Sequence, residues 1–228
     1  MKICAISDLH GYLPDNVERS ELLLIAGDIS PLEIQFNKVK MWNWLNTTFL
    51  QWIKDLPVDK VILIAGNHDA IFTGMSETKK SELEFNSDWK LVYLKNSIYN
   101  HIKDDKTILS IFGTPYCHVY GTWPFMIESE KLKEKFSRIP DKIDIILTHD
   151  APYNVGTQDI SLERDLTKHC GNLELRDRLE QIDFKWNIHG HIHTASHNPE
   201  EFCTGKVVNV SLNNEHYTGT FDPFYFEI

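Results

Sequence analysis

Five short apolar runs each break off into a cluster of polar, mostly ligand-type residues, and this repeated junction constrains the fold more than any other feature of the chain. Ile3 to Ile6 runs into Asp8-Leu9-His10-Gly11, Leu22 to Ala26 into Gly27-Asp28, and Val61 to Ala65 into Gly66-Asn67-His68-Asp69. Ile143 to Leu147 runs into Thr148-His149-Asp150-Ala151-Pro152, and Trp186 to Ile188 into His189-Gly190-His191-Ile192-His193. Continuous rather than alternating apolarity predicts strands covered on both faces. The ends of such strands are where an α/β sheet presents a site.

Helical patterns lie between the runs. Gln35 to Lys54 carries Phe36, Val39, Trp42, Leu45, Phe49, Trp52 and Ile53 at spacings of three and four, which predicts one amphipathic helix with only Trp44 off its buried face. Glu128 to Phe136 reads as a charged helix closing before Pro140. Asn172 is expected to cap a helix reaching about Ile182, with Leu173, Leu175, Leu179 and Ile182 as its apolar contacts. Further strands are expected near Ile108 to Phe112, over Val207 to Leu212 and over Phe224 to Ile228, the last two as a final pair. The order predicts α/β layering around one core, or two sheets sandwiched between helices. No linker, repeat or low-complexity stretch divides residues 1–228, so a single domain is expected.

Composition matters mainly for what it excludes. With 42% hydrophobic residues a core needs no disulfide, and Cys4, Cys117, Cys170 and Cys203 show no C-x-x-C spacing; reduced, mostly buried thiols are expected. The longest apolar runs are far too short to cross a bilayer, and no signal peptide is read at the start, so a cytoplasmic protein without a membrane partner is expected. A formal charge of −10 argues against a long nucleic acid on the outer surface. Small anions remain possible partners, because a bound metal reverses the local field.

Asp8 and His10 stand two apart, as do His191 and His193, so in extended chain each pair leaves one face together. Gly27, Gly66 and Gly190 permit close backbone approach beside Asp28, Asn67 and His191. A single histidine in an apolar segment is usually a hydrogen-bonded core residue. Here five of eleven histidines (His10, His68, His149, His191 and His193) fall at strand ends, which ordinary loops do not explain. Mixed imidazole and oxygen ligands suit Mn, Fe, Zn, Co or Ni better than Ca or Mg.

Asp8-Leu9-His10, Gly27-Asp28, Gly66-Asn67-His68-Asp69, Thr148-His149 and Gly190-His191-Ile192-His193 together resemble the five-block signature of calcineurin-like metallophosphoesterases, in that family's order. Phe112-Gly113-Thr114-Pro115-Tyr116, Trp123-Pro124-Phe125, Ile139-Pro140 and Cys170-Gly171-Asn172-Leu173 resemble its 239AB-like (MPPED-type) phosphodiesterase branch. The resemblance implies a four-layer αββα sandwich with two mixed β-sheets. It implies two divalent metal ions, manganese first among the candidates. One site would use Asp8, His10 and His193, the other Asn67, His149 and His191, with Asp28 bridging them. His68 would touch the phosphate or protonate the leaving oxygen, with Asp69 orienting it; Asp69 reads equally as a cap before Ala70-Ile71-Phe72.

The implied activity is hydrolysis of a small phosphodiester, such as a cyclic nucleotide, by a metal-bridging hydroxide. A phosphomonoesterase, a protein phosphatase or a catalytically silent scaffold of the same fold are the alternatives. With two divalent ions, the carboxylates of Asp8 and Asp28 and a hydroxide, the centre keeps a charge of about plus one, which explains a neutral ligand at Asn67. Around this centre, Asp150 is expected to hold His149 or its neighbour, to sit at the rim, or simply to make a turn. Tyr116, His118 and Trp123 are expected in an aryl or base pocket, and His189 on the face of His191 and His193. His101, His169, His197 and His216 read as ordinary surface or core residues.

Overall fold

The apolar runs are continuous because nearly every central strand is covered twice. In the computed structural model, which describes residues 1–161, 168–218 and 221–228, two mixed sheets lie face to face with helices on their outer sides. The first sheet contains β1 (Lys2–Ile6), β2 (Ser20–Ile25), β3 (Val58–Leu63), β4 (Leu91–Tyr93) and β11 (Phe224–Glu227), in the order β11-β1-β2-β3-β4. Only β11 runs antiparallel there. The second contains β5 (Ser97–Lys103), β6 (Lys106–Thr114), β7 (Lys142–Thr148), β8 (Asp183–His189), β9 (Glu200–Phe202) and β10 (Gly205–Asn209), in the order β5-β6-β7-β8-β10-β9. Its four central strands are parallel and its edges antiparallel.

Alternate residues of one strand enter different layers of the core. Ile3 and Ala5 of β1 join Leu24, Ile62, Ile145 and Ile188 between the sheets, while Cys4 and Ile6 face the helices over the first sheet. In the second sheet Phe112, Ile146 and Phe184 face outward onto α4 (Ser129–Phe136) and α5 (Leu173–Leu179) through Leu132, Phe136, Leu175 and Leu179. The four layers are therefore helix, sheet, sheet, helix. The two final strands do not pair with each other: β10 lies in the second sheet and β11 at the edge of the first.

The expected long helix is broken. Asn37 caps α1 (Lys38–Trp44) by accepting from the Lys40 N–H, a π-helical turn covers Leu45–Phe49, and α2 (Leu50–Asp55) follows. Met41, Leu45, Phe49, Leu50 and Ile53 are buried, but Phe36 and Val39 are 64% and 81% exposed, against the unbroken period read from the sequence. Leu173 is also exposed rather than packed, because Asn172 caps α5 and Leu173 is its first residue. Among the described residues no helix is long and apolar enough to cross a membrane.

Candidate metal centre

The turns after β1, β2, β3, β7 and β8 meet at one end of the sandwich. Ligating atoms of Asp8, His10 and His193 lie within 4.8 Å of one another, and those of Asp28, His149 and His191 form a second such group. The Asn67 amide oxygen stands 3.0 Å from His149 Nε2, and His10 Nε2 stands 3.8 Å from Asp28 Oδ2, so the two groups adjoin. All seven residues expected to bind metal are thus brought together.

The backbone achieves this differently from the extended geometry expected. Asp8, His10, Asp28 and His191 have φ of 55°, 45°, 53° and 71°, in the left-handed region. Such strain costs about 1–3 kcal/mol per residue and persists only where its surroundings enforce it. Here the turns after β1 and β2 are stitched together: Asp8, His10 and Gly11 donate backbone N–H groups to Gly27, Asp28 and Ile29. The glycines allow the approach expected of them. A Cβ on Gly66 would stand 2.2 Å from Asp28 Oδ1, and one on Gly190 2.1 Å from Asp8 Oδ2.

Two histidines show what the centre is built to hold. His149 Nδ1 lies 2.8 Å from the Ala26 carbonyl, which can only accept, so Nδ1 carries the proton. The Nε2 lone pair then faces two further acceptors, Asn67 Oδ1 at 3.0 Å and Asp28 Oδ2 at 3.3 Å. His193 repeats this: Nδ1 donates to the Asn214 carbonyl at 2.9 Å, and Nε2 meets Asp8 Oδ1 at 3.2 Å and His10 Nε2 at 3.4 Å. Lone pairs aimed at one another require a cation between them. Without a metal a proton fills the gap. Burial alone would lower both rings, yet the Asp28 carboxylate pushes His149 up to about 10 and Asp8 pushes His193 up to about 9. Burial would raise the two carboxyls, but the facing imidazoles hold both well below the usual range. Burial keeps His10 and His191 near 4, neutral and able to ligate.

His68 lies beside this group with its backbone N–H donated to Asp28 Oδ1 at 2.7 Å. Its ring partner is not Asp69. His68 Nδ1 is 2.8 Å from Gln35 Oε1, and Gln35 Nε2 donates to the Leu32 carbonyl at 3.1 Å. Asp69 is fully buried and accepts from the backbone N–H groups of Gly66, Ile29 and Ser30 and from the Ser30 hydroxyl. Burial, with Asp28 nearby, pushes it up to about 6. Nor does its side chain cap the short helical turn that follows. Asp69 ties the turn after β3 to the turn after β2.

Other expectations change in similar ways. Asp150 holds neither His149 nor the rim; its buried carboxylate accepts from His118 N–H and Nδ1 and from Asn172 Nδ2. His189 is buried and turns to Gln158 Oε1, away from His191 and His193. A cleft of about 570 Å³ opens over the centre, and His118 and Trp123 line it, with Tyr120 and Tyr217 as further aromatic walls. Tyr116 does not line it; it packs in the core against Phe125.

The calcineurin-like phosphoesterase family model matches residues 1–195. The chain belongs to this family. A UPF0046 protein of Caenorhabditis elegans is 27% identical over 243 aligned residues, covering 100% of this chain and 81% of that protein. The human metallophosphoesterase domain-containing protein 1 is 26% identical, covering 100% of this chain and 71% of its own length. The fold is shared with phosphopantetheinyl hydrolase of Mycobacterium tuberculosis, with TM-score 0.54 at 13% identity over 95% of this chain and 90% of that one.

For a calcineurin-like phosphoesterase, the sequence reading passed over several residues at the centre. Gln35 fell inside a presumed helix, Tyr217 in an unassigned stretch, and Ser211, which donates to Asp8 Oδ2 at 2.8 Å, carried no signal. His169, read as ordinary, lines the cleft. Only its proximity to Cys170-Gly171-Asn172, part of the second resemblance, could have drawn notice.

Proposed function

We propose that this chain hydrolyses a small phosphodiester, with Asp8, His10 and His193 holding one divalent ion, Asn67, His149 and His191 a second, and Asp28 shared between them. The observation that carries this reading is the pair of Nδ1-anchored imidazoles, His149 and His193, whose Nε2 lone pairs face the acceptor oxygens of Asn67, Asp28 and Asp8. The donor set fits such ions: His10 and His191 kept neutral by burial, His149 and His193 with Nδ1 anchored and Nε2 facing the centre, two carboxylates and one neutral amide oxygen. Manganese is the first choice, with Fe, Zn, Co and Ni as alternatives. When bound, two such ions polarise a phosphoryl oxygen and activate water at neutral pH.

The chain's own residues supply the rest. Gln35 holds the proton on Nδ1 of His68, so Nε2 is the nitrogen left to meet the leaving oxygen. The Trp123 ring, 4.5 Å away, restrains the imidazole from the other side. In its doubly protonated form a histidine so placed is a general acid: Nε2 gives its proton to the departing alcohol while Nδ1 keeps the proton shared with Gln35. Tyr120, Trp123 and Tyr217 give the cleft aromatic walls suited to an aryl or nucleobase substituent. Net charge −10 speaks against a long nucleic acid.

The test is hydrolysis of bis-p-nitrophenyl phosphate against p-nitrophenyl phosphate, with Mn, Fe, Zn, Co and Ni added in turn. Metal-dependent turnover favouring the diester is expected. Faster turnover of the monoester would overturn the diester reading. Silence on both esters with every metal would point to a scaffold without the reaction.

A further inference from the structure

We propose that His169 and Lys168 form a subsite for a second phosphate group, carried on the organic part of the substrate. The inference rests on the diesterase reading and names the kind of ester that the cleft selects.

Asp159 is fully buried, yet it is far from ordinary in its partners. Its Oδ1 lies 2.7 Å from His169 Nδ1, and its Oδ2 accepts the backbone N–H groups of Asn154 at 2.9 Å and Gly171 at 3.0 Å. The Asp159 carbonyl also accepts from the Cys170 N–H at 2.9 Å, and Ile160 and His169 form an antiparallel bridge. A buried carboxylate is costly unless fully partnered. Two of these partners, the His169 imidazole and the Gly171 N–H, belong to the segment that carries His169. The Tyr153 ring packs edge-on against the imidazole at 5.6 Å. The imidazole is therefore held in one orientation, with Nδ1 donating to Asp159 and Nε2 left as its other polar edge.

That ring is not part of the metal centre, but it belongs to the same cleft. His169 and Lys168 line the cavity together with Asp28, His68 and His191, and the His169 side chain stays 23% exposed. Lys168 is the only lysine or arginine among the described residues that line the cleft, in a chain of net charge −10. Among the described residues, the one lining carboxylate outside the metal groups, Glu215, has His216 at 3.6 Å. An ammonium and a pre-oriented imidazole that line one cleft are a recognition pair for a phosphate rather than for a neutral hydroxyl. Tyr120 and Trp123 line the same cleft and offer aromatic faces to a sugar or base.

Calorimetry on the manganese-loaded protein with thymidine 3′,5′-bisphosphate and thymidine 5′-phosphate tests this without relying on turnover. The wild type is expected to bind the bisphosphate about tenfold tighter, a preference that His169→Ala abolishes and His169→Arg retains. Lys168→Ala should reduce the preference without removing it. Equal affinities in the wild type, or a preference that survives His169→Ala, would overturn the subsite. Hydrolysis of bis-p-nitrophenyl phosphate in the same preparation separates the two readings: a preparation that turns it over but shows no preference loses only the subsite.

Discussion

His68 takes its orientation from a neutral partner, and that is a residue-scale fact with a measurable consequence. An amide fixes the imidazole tautomer as a carboxylate would, without adding a charge beside Asp28. His68→Ala should keep both metals by elemental analysis while kcat falls roughly 10²–10⁴-fold, most steeply for esters with poor leaving groups. Gln35→Leu should lose less, and with the same dependence on the leaving group; a uniform loss across esters would mean that Gln35 only supports the fold. Asp150 is a different case. Burial would raise its carboxyl, but His118 and its N–H hold it at about 2, below the usual carboxylate value near 4. A depressed native pKa gives stability that is full above about pH 4 and lost as pH falls through about 2. Asp150→Asn should therefore destabilise by about 2 kcal/mol near neutrality, and urea titrations should show the gap from wild type closing below pH 4. A gap that widens in acid would contradict this. Metal-type residues were legible in the sequence because few other roles place Asp, Asn and His after apolar runs. Gln35, Ser211 and His169 were not, because their roles come from distant neighbours rather than from local pattern.

At the scale of elements, the break between α1 and α2 is the feature that periodicity missed. A π-turn carries one residue more than the α-helix it replaces, and so rotates the following face. With that shift α1 buries Met41, the π-turn Leu45 and Phe49, and α2 Leu50 and Ile53. Removing exposed Thr48 should restore a regular helix and swing one of these sets toward solvent. The expected loss is several kcal/mol, against a few tenths for Thr48→Ala, read from denaturation midpoints. Equal costs would mean that the π-turn is incidental. Other misses have the same origin. The helix α3 (Glu77–Asn86) buries only Leu83, and strands as short as β4 and β9 offer three residues each, too little pattern to read.

For the molecule as a whole, the centre is where the sheets are joined chemically as well as by packing. Asp8, Asp28 and Asn67 follow strands of the first sheet; His149, His191 and His193 follow strands of the second. A ligand bound only by the folded arrangement stabilises it by mass action. Chelating the divalent ions should lower the Tm by several degrees, restored on adding manganese, and Asp28→Asn should shrink that difference. An unchanged Tm on chelation would show that the metals do not bridge the two halves. The sequence by itself determined the doubly covered strands, the α/β layering and the types of residue at the strand ends, since each follows from local pattern and chain order. Only the tertiary structure decided that β10 and β11 part into different sheets, that left-handed turns rather than extended chain aim Asp8, His10 and His191, and that Gln35 rather than Asp69 meets His68. These depend on which turns pack against which, over separations of tens to hundreds of residues, and no local spacing encodes that.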